Sequence, residues 1–320
     1  MRSSYPVFRT SELSDGQITA LSELFSEVFH KTKTPEQIRH QFTALYPNGD
    51  GFHCLVEEEE RLTAAFSCIP CRYMMDGTEV LMATTADAEV SKNSRIGAFG
   101  MKFMVDSILK SMKEAGVRFV HSFPNDTFYP YLKRMCGFRD VGIYDFYVLP
   151  LDVGEIRSCF RWLSAPVRGS VKLFCRAGAA LASSAAPRYR IEKIDDEPFR
   201  RQRFDERHHR LVLGDGAEAV YSLYREEKIG TVAYIVDLTD HDPYSVYLAF
   251  LEVARATGGK AGMIAYPALK LPYFLPFRVP RRRLPRLLHM TGKVLDDTLD
   301  AGVLFDPVSW KMNLSDFDTR

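Results

Sequence analysis

The stretch Glu89–Gly100 reads EVSKNSRIGAFG and runs directly into MKFMVDSILKSM at 101–112. An extended apolar run, EVLMATTADAEV at 79–90, ends there. A basic residue and small residues follow, and apolar positions then recur at helical spacing, which predicts a helix over about Phe99 to Ala115. A tight turn without a ligand satisfies this pattern. So does a cradle for phosphate, because the first N–H groups of a helix have no intrahelical partner and the helix dipole adds positive potential. Small residues suit the second reading, since a phosphate must approach the main chain closely.

The pattern upstream predicts an extended start in YPVFRTS, then a helix in DGQITALSELFSEVFHKT and a second in TPEQIRHQFTALYP, with Thr34 as N-cap and Pro35 at the first position. Residues 51–90 hold three extended runs joined by the turns EEEE and DG, which is an antiparallel meander. The acidic run Glu57–Glu60 reads as a solvated turn. Downstream, VRFVHSFP is a strand, NDTFYPYLKRMCGF a short helix and GIYDFYVLPL a strand.

From Val153 to Pro187 the pattern is loosely helical and ends in the small-residue tract AGAALASSAAP, a connector candidate. YRIEKI then opens a second unit, with a hairpin in EAVYSLYREEKIGTVAYIVDL, a helix in DPYSVYLAFLEVARATGG, a strand in KAGMIAYPA and extended segments in GVLFDPVSWKMNLSDFD. The expected division is 1–152, a connector over 153–187, and 188–320. The fold class is α/β (α+β), a mixed, mostly antiparallel sheet flanked by helices, in two tandem units. A chain of 320 residues suits two domains.

A formal net charge of +1 offers no bulk attraction to nucleic acid or membrane. The N-terminus lacks a signal-peptide run, and no apolar stretch is long enough to span a bilayer, so the expectation is a cytoplasmic protein with reduced thiols. CIPC at Cys68–Cys71 lies in a strand, not at a helix start where a thiol is activated, and no second ligand pair completes a zinc site. His53 and His121 sit on expected strands and read as hydrogen-bonded core residues, and His208 and His209 read as surface residues. The cluster RVPRRRLPR, from Arg278 to Arg286, reads as a solvated loop or as a sink for a phosphorylated acceptor.

Meander, basic-glycine turn, helix and strand in this order resemble the Gcn5-related N-acetyltransferase (GNAT) superfamily. Its acyl-CoA loop follows Gln/Arg-x-x-Gly-x-Gly/Ala, which Arg95-Ile96-Gly97-Ala98-Phe99-Gly100 fits with Ala98 at the first glycine position. Val90 stands at the strand-ending position, and Asn125, Gly137 and Phe138 match an Asn after the next strand and a Gly-Phe pair after the following helix. The resemblance covers residues 1–150, and the remainder only by element order.

The resemblance implies acetyl-CoA or another acyl-CoA as co-substrate, held by the 95–100 loop, Val90 and Asn125, with no metal. It implies a small-molecule or saccharide amine as acceptor, and the chain is compatible with a homo-oligomer. The Val90 main chain would meet the acyl carbonyl. A strand carboxylate would act as base, and Glu89 and Asp87 lie two apart on one face, Glu89 nearer the loop. The family's acid is a tyrosine four residues before the Gly-Phe glycine. Lys133 stands there instead, with Tyr131 upstream as the alternative. The acidic joint VDLTDHDPYSVYL in the second unit would repel pyrophosphate, which reads as a degenerate copy. A peptidoglycan-bridge type aminoacyltransferase and a non-catalytic interaction protein are the competing readings.

Overall fold

The computed structural model describes residues 5–43, 50–182, 187–195, 200, 203–214, 216–227 and 229–316. They divide into two compact units, each assembled from non-contiguous chain segments.

The first unit opens with β1 (Val7–Arg9), α1 (Asp15–Phe29) and α2 (Pro35–Thr43). Ser14 and Gln17 cap α1 reciprocally, and Thr34 Oγ1 accepts from the Gln37 N–H at 3.3 Å, the cap expected for α2. The meander follows as β2 (Phe52–Glu58), β3 (Arg61–Met75) and β4 (Thr78–Val90). Both of its hairpins turn on residue pairs with positive φ, Glu59-Glu60 (53° and 62°) and Asp76-Gly77 (49° and 80°), whose twist matches the flanking strands. Then come α3 (Gly97–Glu114), β5 (Phe119–Ser122), α4 (Phe128–Cys136) and β6 (Arg139–Ile143). The apolar stripe of α3, with Met101, Met104, Val105, Ile108 and Met112, packs with Phe66, Cys68, Ala83 and Val120 as one core.

The second unit holds β7 (Asp145–Pro150), α5 (Val153–Ile156), α6 (Ser164–Leu181), β9 (His208–Val212), β10 (Glu218–Glu226), β11 (Gly230–Leu238), α7 (Pro243–Ala256) and β12 (Met263–Ala268). Its sheet runs β7-β12-β11-β10-β9, with β11 and β12 parallel and the other pairs antiparallel.

Four expectations are corrected. The first cut does not fall after residue 152. The extended segment expected over 142–151 breaks at Tyr144, and β7 pairs with β12 in the second sheet, while β13 (His289–Val294) lies between β5 and β6 in the first. Second, β8 (Ile191–Lys193), expected to open the second unit, pairs with Tyr73–Met75 of β3. Third, the 153–187 segment is no mere connector: Val171, Cys175 and Ala179, one α6 stripe, belong to the second core, and the α6 backbone at Gly178 packs tightly against the Tyr247 ring. Residues 183–186 of the small-residue tract lie outside the described residues. Fourth, the closing segment is mostly short helical turns, starting with Ala301–Leu304, where Asp300 accepts from the Gly302 N–H at 2.8 Å.

The insertion of β13 depends on Gly292, because a Cβ there would stand 2.2 Å from Cζ of the fully buried Phe119 ring. Gly292→Ala should lower stability by about 1–3 kcal/mol in urea unfolding. Gly169→Ala, on the open side of α6 with nothing within 4 Å, should be neutral or stabilising.

Candidate active site at the open edge of the first sheet

β4 is paired on both sides only over part of its length. Its parallel register with β5 runs from Met82↔Phe119 to Thr84↔His121, and a Thr85 Oγ1···Ser122 Oγ hydrogen bond of 2.6 Å closes it. β4 then continues to Val90 alongside β3 alone, past the end of β5. Within this stretch Phe66 pairs with Ala88 and Cys68 with Thr85, so Ala86 and Asp87 both oppose Ser67. That bulge bends β4 and re-aims its side chains. Beyond it Ala88 packs with the α3-side core, and its neighbour Glu89 takes the opposite face.

Seven residues after Val90 the helix α3 begins. The Gly100 N–H bonds to the Ile96 carbonyl at 3.1 Å. The Ile96 N–H bonds to Ser94 Oγ at 3.3 Å, and the Arg95 N–H to both Glu58 carboxylate oxygens at 3.1 and 3.2 Å. Among the described residues, the N–H groups of Gly97, Ala98 and Phe99 have no partner. All three residues are exposed, and Gly97 takes a φ of +57°, the left-handed conformation that favours glycine. Of the loop expected over 95–100, the amides without a partner are therefore the three at 97–99, in exposed residues at the start of α3.

Glu58 was missed. Read as part of a solvated turn, it also accepts from Thr63 Oγ1 at 2.8 Å and Ser94 Oγ at 3.1 Å, and the Arg95 backbone N–H holds its carboxyl below the usual range. Glu59 pairs with the Arg95 guanidinium at 3.0 Å, leaving that side chain 81% exposed. The acidic hairpin thus fixes the loop from behind. Its sequence trace is weak, because Glu58 bonds a backbone group 37 positions away.

Glu89 is 2% exposed, and its Oε2 is buried without a hydrogen-bond partner. Burial pushes its carboxyl up to about 9; the Asp87 charge adds to the rise and Lys33 opposes it. Asp87 is tied down separately, accepting from Gln41 Nε2 at 3.1 Å and standing 3.6 Å from Lys33 Nζ. The two carboxylates therefore share a face but not an environment.

On the other face Tyr131 donates to the Ala98 carbonyl at 2.7 Å, and burial raises its phenol well above the ordinary value. Its ring stacks on Phe128 at 5.5 Å. Asn125 spends its Oδ1 as the α4 cap, accepting from Thr127 and Phe128 N–H at 3.1 and 2.8 Å. Lys133 bonds to Asp140 at 2.5 Å and Tyr129 at 3.2 Å; Asp140 raises its ammonium, so it is no neutral acid. Tyr131 and Glu89 flank the open β4 edge from opposite faces, and no hydrogen bond joins them.

The remaining residues take core roles. His53 bonds to Thr10 and Ser67, His121 to Tyr73, and burial lowers them to about 4 and about 3. Cys68 and Cys71 are buried in β3, and burial raises the Cys68 thiol. His208, expected at the surface, keeps its side chain 4% exposed and bonds to Asp205 at 2.8 Å. No described helix is long and apolar enough to cross a membrane, and no cluster among the described residues could hold a metal ion.

The family model for the acetyltransferase (GNAT) domain matches residues 9–139. That segment is a GNAT domain. No curated protein matches the chain. Among solved structures, a probable N-acyltransferase from Enterococcus faecalis V583 aligns with TM-score 0.60 at 12% identity, covering 92% of this chain and 73% of its own. A GCN5-related N-acetyltransferase from Anabaena variabilis aligns with TM-score 0.57 at 13% identity, over 91% and 73%. Saccharomyces cerevisiae N-myristoyltransferase with bound myristoyl-CoA aligns with TM-score 0.50 at 10% identity, over 91% and 83%. These likenesses extend the shared fold beyond the GNAT domain to most of the chain.

The helix α7 of the second unit starts differently from α3. Asp242 caps α7, accepting from the Ser245 N–H at 3.0 Å and Ser245 Oγ at 2.6 Å, so the chain's own carboxylate occupies that helix start. In the basic cluster, Arg278 and Arg281 stand 3.4 and 3.0 Å from the buried Asp145 carboxylate, which anchors the loop and leaves Arg282 and Arg283 exposed.

Glu89 generates a pH prediction. Its folded value of about 9 exceeds the ordinary 4.5, so the folded chain keeps a proton that the unfolded chain releases. That stabilisation is whole below about 4.5 and is lost as pH climbs towards about 9. Glu89→Gln removes the slope, so its urea midpoint relative to the parent should rise with pH across this window. A constant difference would contradict the buried, protonated carboxyl.

Proposed function

We propose that the chain is an acyl-CoA-dependent N-acyltransferase that transfers an acetyl or longer acyl group to a small-molecule or saccharide amine, with a second, GNAT-like unit that is degenerate and does not bind the donor. The three unpartnered amides at the start of α3 carry this reading. They suit a pyrophosphate without any special side chain, the exposed Arg95 adds charge nearby, and the open edge of β4 beyond Thr85 can bond an extended pantetheine-like chain.

The chemistry then assigns three tasks. Main-chain donors at the end of β4, by Val90, would stabilise the tetrahedral oxyanion. Glu89 would take the amine proton, because its raised carboxyl is matched to an ammonium better than an ordinary glutamate is. A cationic acceptor arriving beside Asp87 and Glu89 would itself draw the Glu89 value down, coupling binding to activation. Tyr131, kept protonated by burial, would donate to the leaving thiolate from the other face. Asn125 and the rest of the 95–100 loop would bind and orient the donor.

Thermal shift with acetyl-CoA, longer acyl-CoAs and free CoA tests donor binding. A stabilisation of roughly 2.7 kcal/mol is expected at a hundredfold excess over Kd. Ala98→Glu places a carboxylate at an exposed helix start, which the fold tolerates, and should abolish that shift with the ligand-free Tm retained. Gly100 is the poorer test position, because a Cβ there would stand 2.3 Å from Ile96 Cγ1. An unchanged shift in Ala98→Glu would place the donor elsewhere.

Thiol release across a panel of amines tests the chemistry. Glu89→Gln should lower kcat by about 10²-fold or more with little change in donor Kd, and the parent's kcat/KM should rise with pH towards about 9. Tyr131→Phe should cost less, about tenfold, because a thiolate leaves readily.

A further inference from the structure

The helix α6 is apolar on two opposite faces. One belongs to the second core through Val171, Cys175 and Ala179. On the other, Pro166, Gly169, Leu173, Ala177 and Ala180 are all exposed and fall within about 80° on a helical wheel. A surface helix ordinarily turns charged residues to solvent. Here the outward residues are small, with Leu173 68% exposed and Leu181, at the helix end, 88% exposed. The 3-10 turn before α6, at Ser158–Leu163, adds Trp162 at 74% and Phe160 at 43%.

The charge on this segment is one-sided. Residues 157–182 contain Arg157, Arg161, Arg168, Lys172 and Arg176 and no Asp or Glu, five cations against no anion in a chain whose total is +1. Arg168 is engaged by Asp152 at 2.6 Å. The other four have no ion-pair partner among the described residues.

Exposed aromatic and aliphatic side chains beside unpaired cations, along a helix about 27 Å long, fit a plane rather than a groove. A second copy in two-fold contact would set these cations against themselves. An anionic lipid surface meets both features, taking Trp162, Leu173 and Leu181 below its headgroups and the cations at its phosphates. We propose that residues 157–182 form an interfacial docking surface that seats the second unit on an anionic bilayer. The surface lies on the membrane, because α6 is not apolar enough to span it. It stands independently of the acyl-transfer reading.

Vesicle flotation of the full chain tests this, with phosphatidylcholine alone or mixed with phosphatidylglycerol. Binding is expected on the mixed vesicles only, and is lost in about 1 M salt. The chain has two tryptophans, and Trp310 is 1% exposed. A blue shift and protection from acrylamide therefore report Trp162 entering the lipid. Arg161→Gln and Arg176→Gln should each weaken partitioning about fivefold. Trp162→Ser with Leu173→Gln should abolish it with circular dichroism unchanged. Absence of flotation with anionic vesicles at low salt overturns the proposal, as does flotation insensitive to all these changes. A concentration-dependent dimer dissolved by Leu173→Gln also overturns it, assigning the face to a second copy.

Discussion

Backbone hydrogen bonding is nearly always satisfied inside a folded protein, and at the β4 edge and the start of α3 several backbone groups have no partner among the described residues. β4 runs on past the end of β5 with β3 as its ladder on one side, and α3 then starts with three amides that have no partner among the described residues. The two features are linked by the hairpin residue Glu58, which takes up the Arg95 amide and holds the loop between them. At the start of α7 in the second unit, the Asp242 carboxylate accepts from the Ser245 N–H and hydroxyl.

The second constraint is the cost of a buried charge. Glu89 is buried with one oxygen unpartnered, and burial, with the Asp87 charge adding to it, raises its carboxyl to about 9. Asp87, two residues away on the same face, has Gln41 and Lys33 for company. A bulge between the two registers of β4 makes this arrangement. It keeps Ala88 on the core side and turns Glu89 to the opposite face, at the point where the sheet opens.

Much of the first unit was legible because its signals are local. Alternating residues with EEEE and DG turns gave the meander, and the apolar spacing after Gly97 gave α3. The loop was legible as small residues at a helix start, though the sequence could not tell that three of its amides bond within the protein. Strand exchange left no local trace. HMTGKV carries no mark of pairing with β5 across some 170 residues, and Gly292 reveals its reason only beside the Phe119 ring. The tract ending α6 looked like a linker because small residues mark loops, yet here they let the helix backbone approach the Tyr247 ring. The cationic segment at 157–182 was hidden by a total charge near zero, since a balanced sum says nothing about where the charges lie.

In the proposed function, the amides of Gly97, Ala98 and Phe99 receive a diphosphate. Amide NMR of the nitrogen-15-labelled chain, titrated with a non-reactive CoA analogue, observes these groups directly. Large downfield proton shifts are expected at Gly97, Ala98 and Phe99, with smaller changes at Arg95 and Gly100, whose amides already have partners. Shifts confined to the α7 start at Asp242–Ser245, or absent from residues 97–99 at saturation, would contradict it.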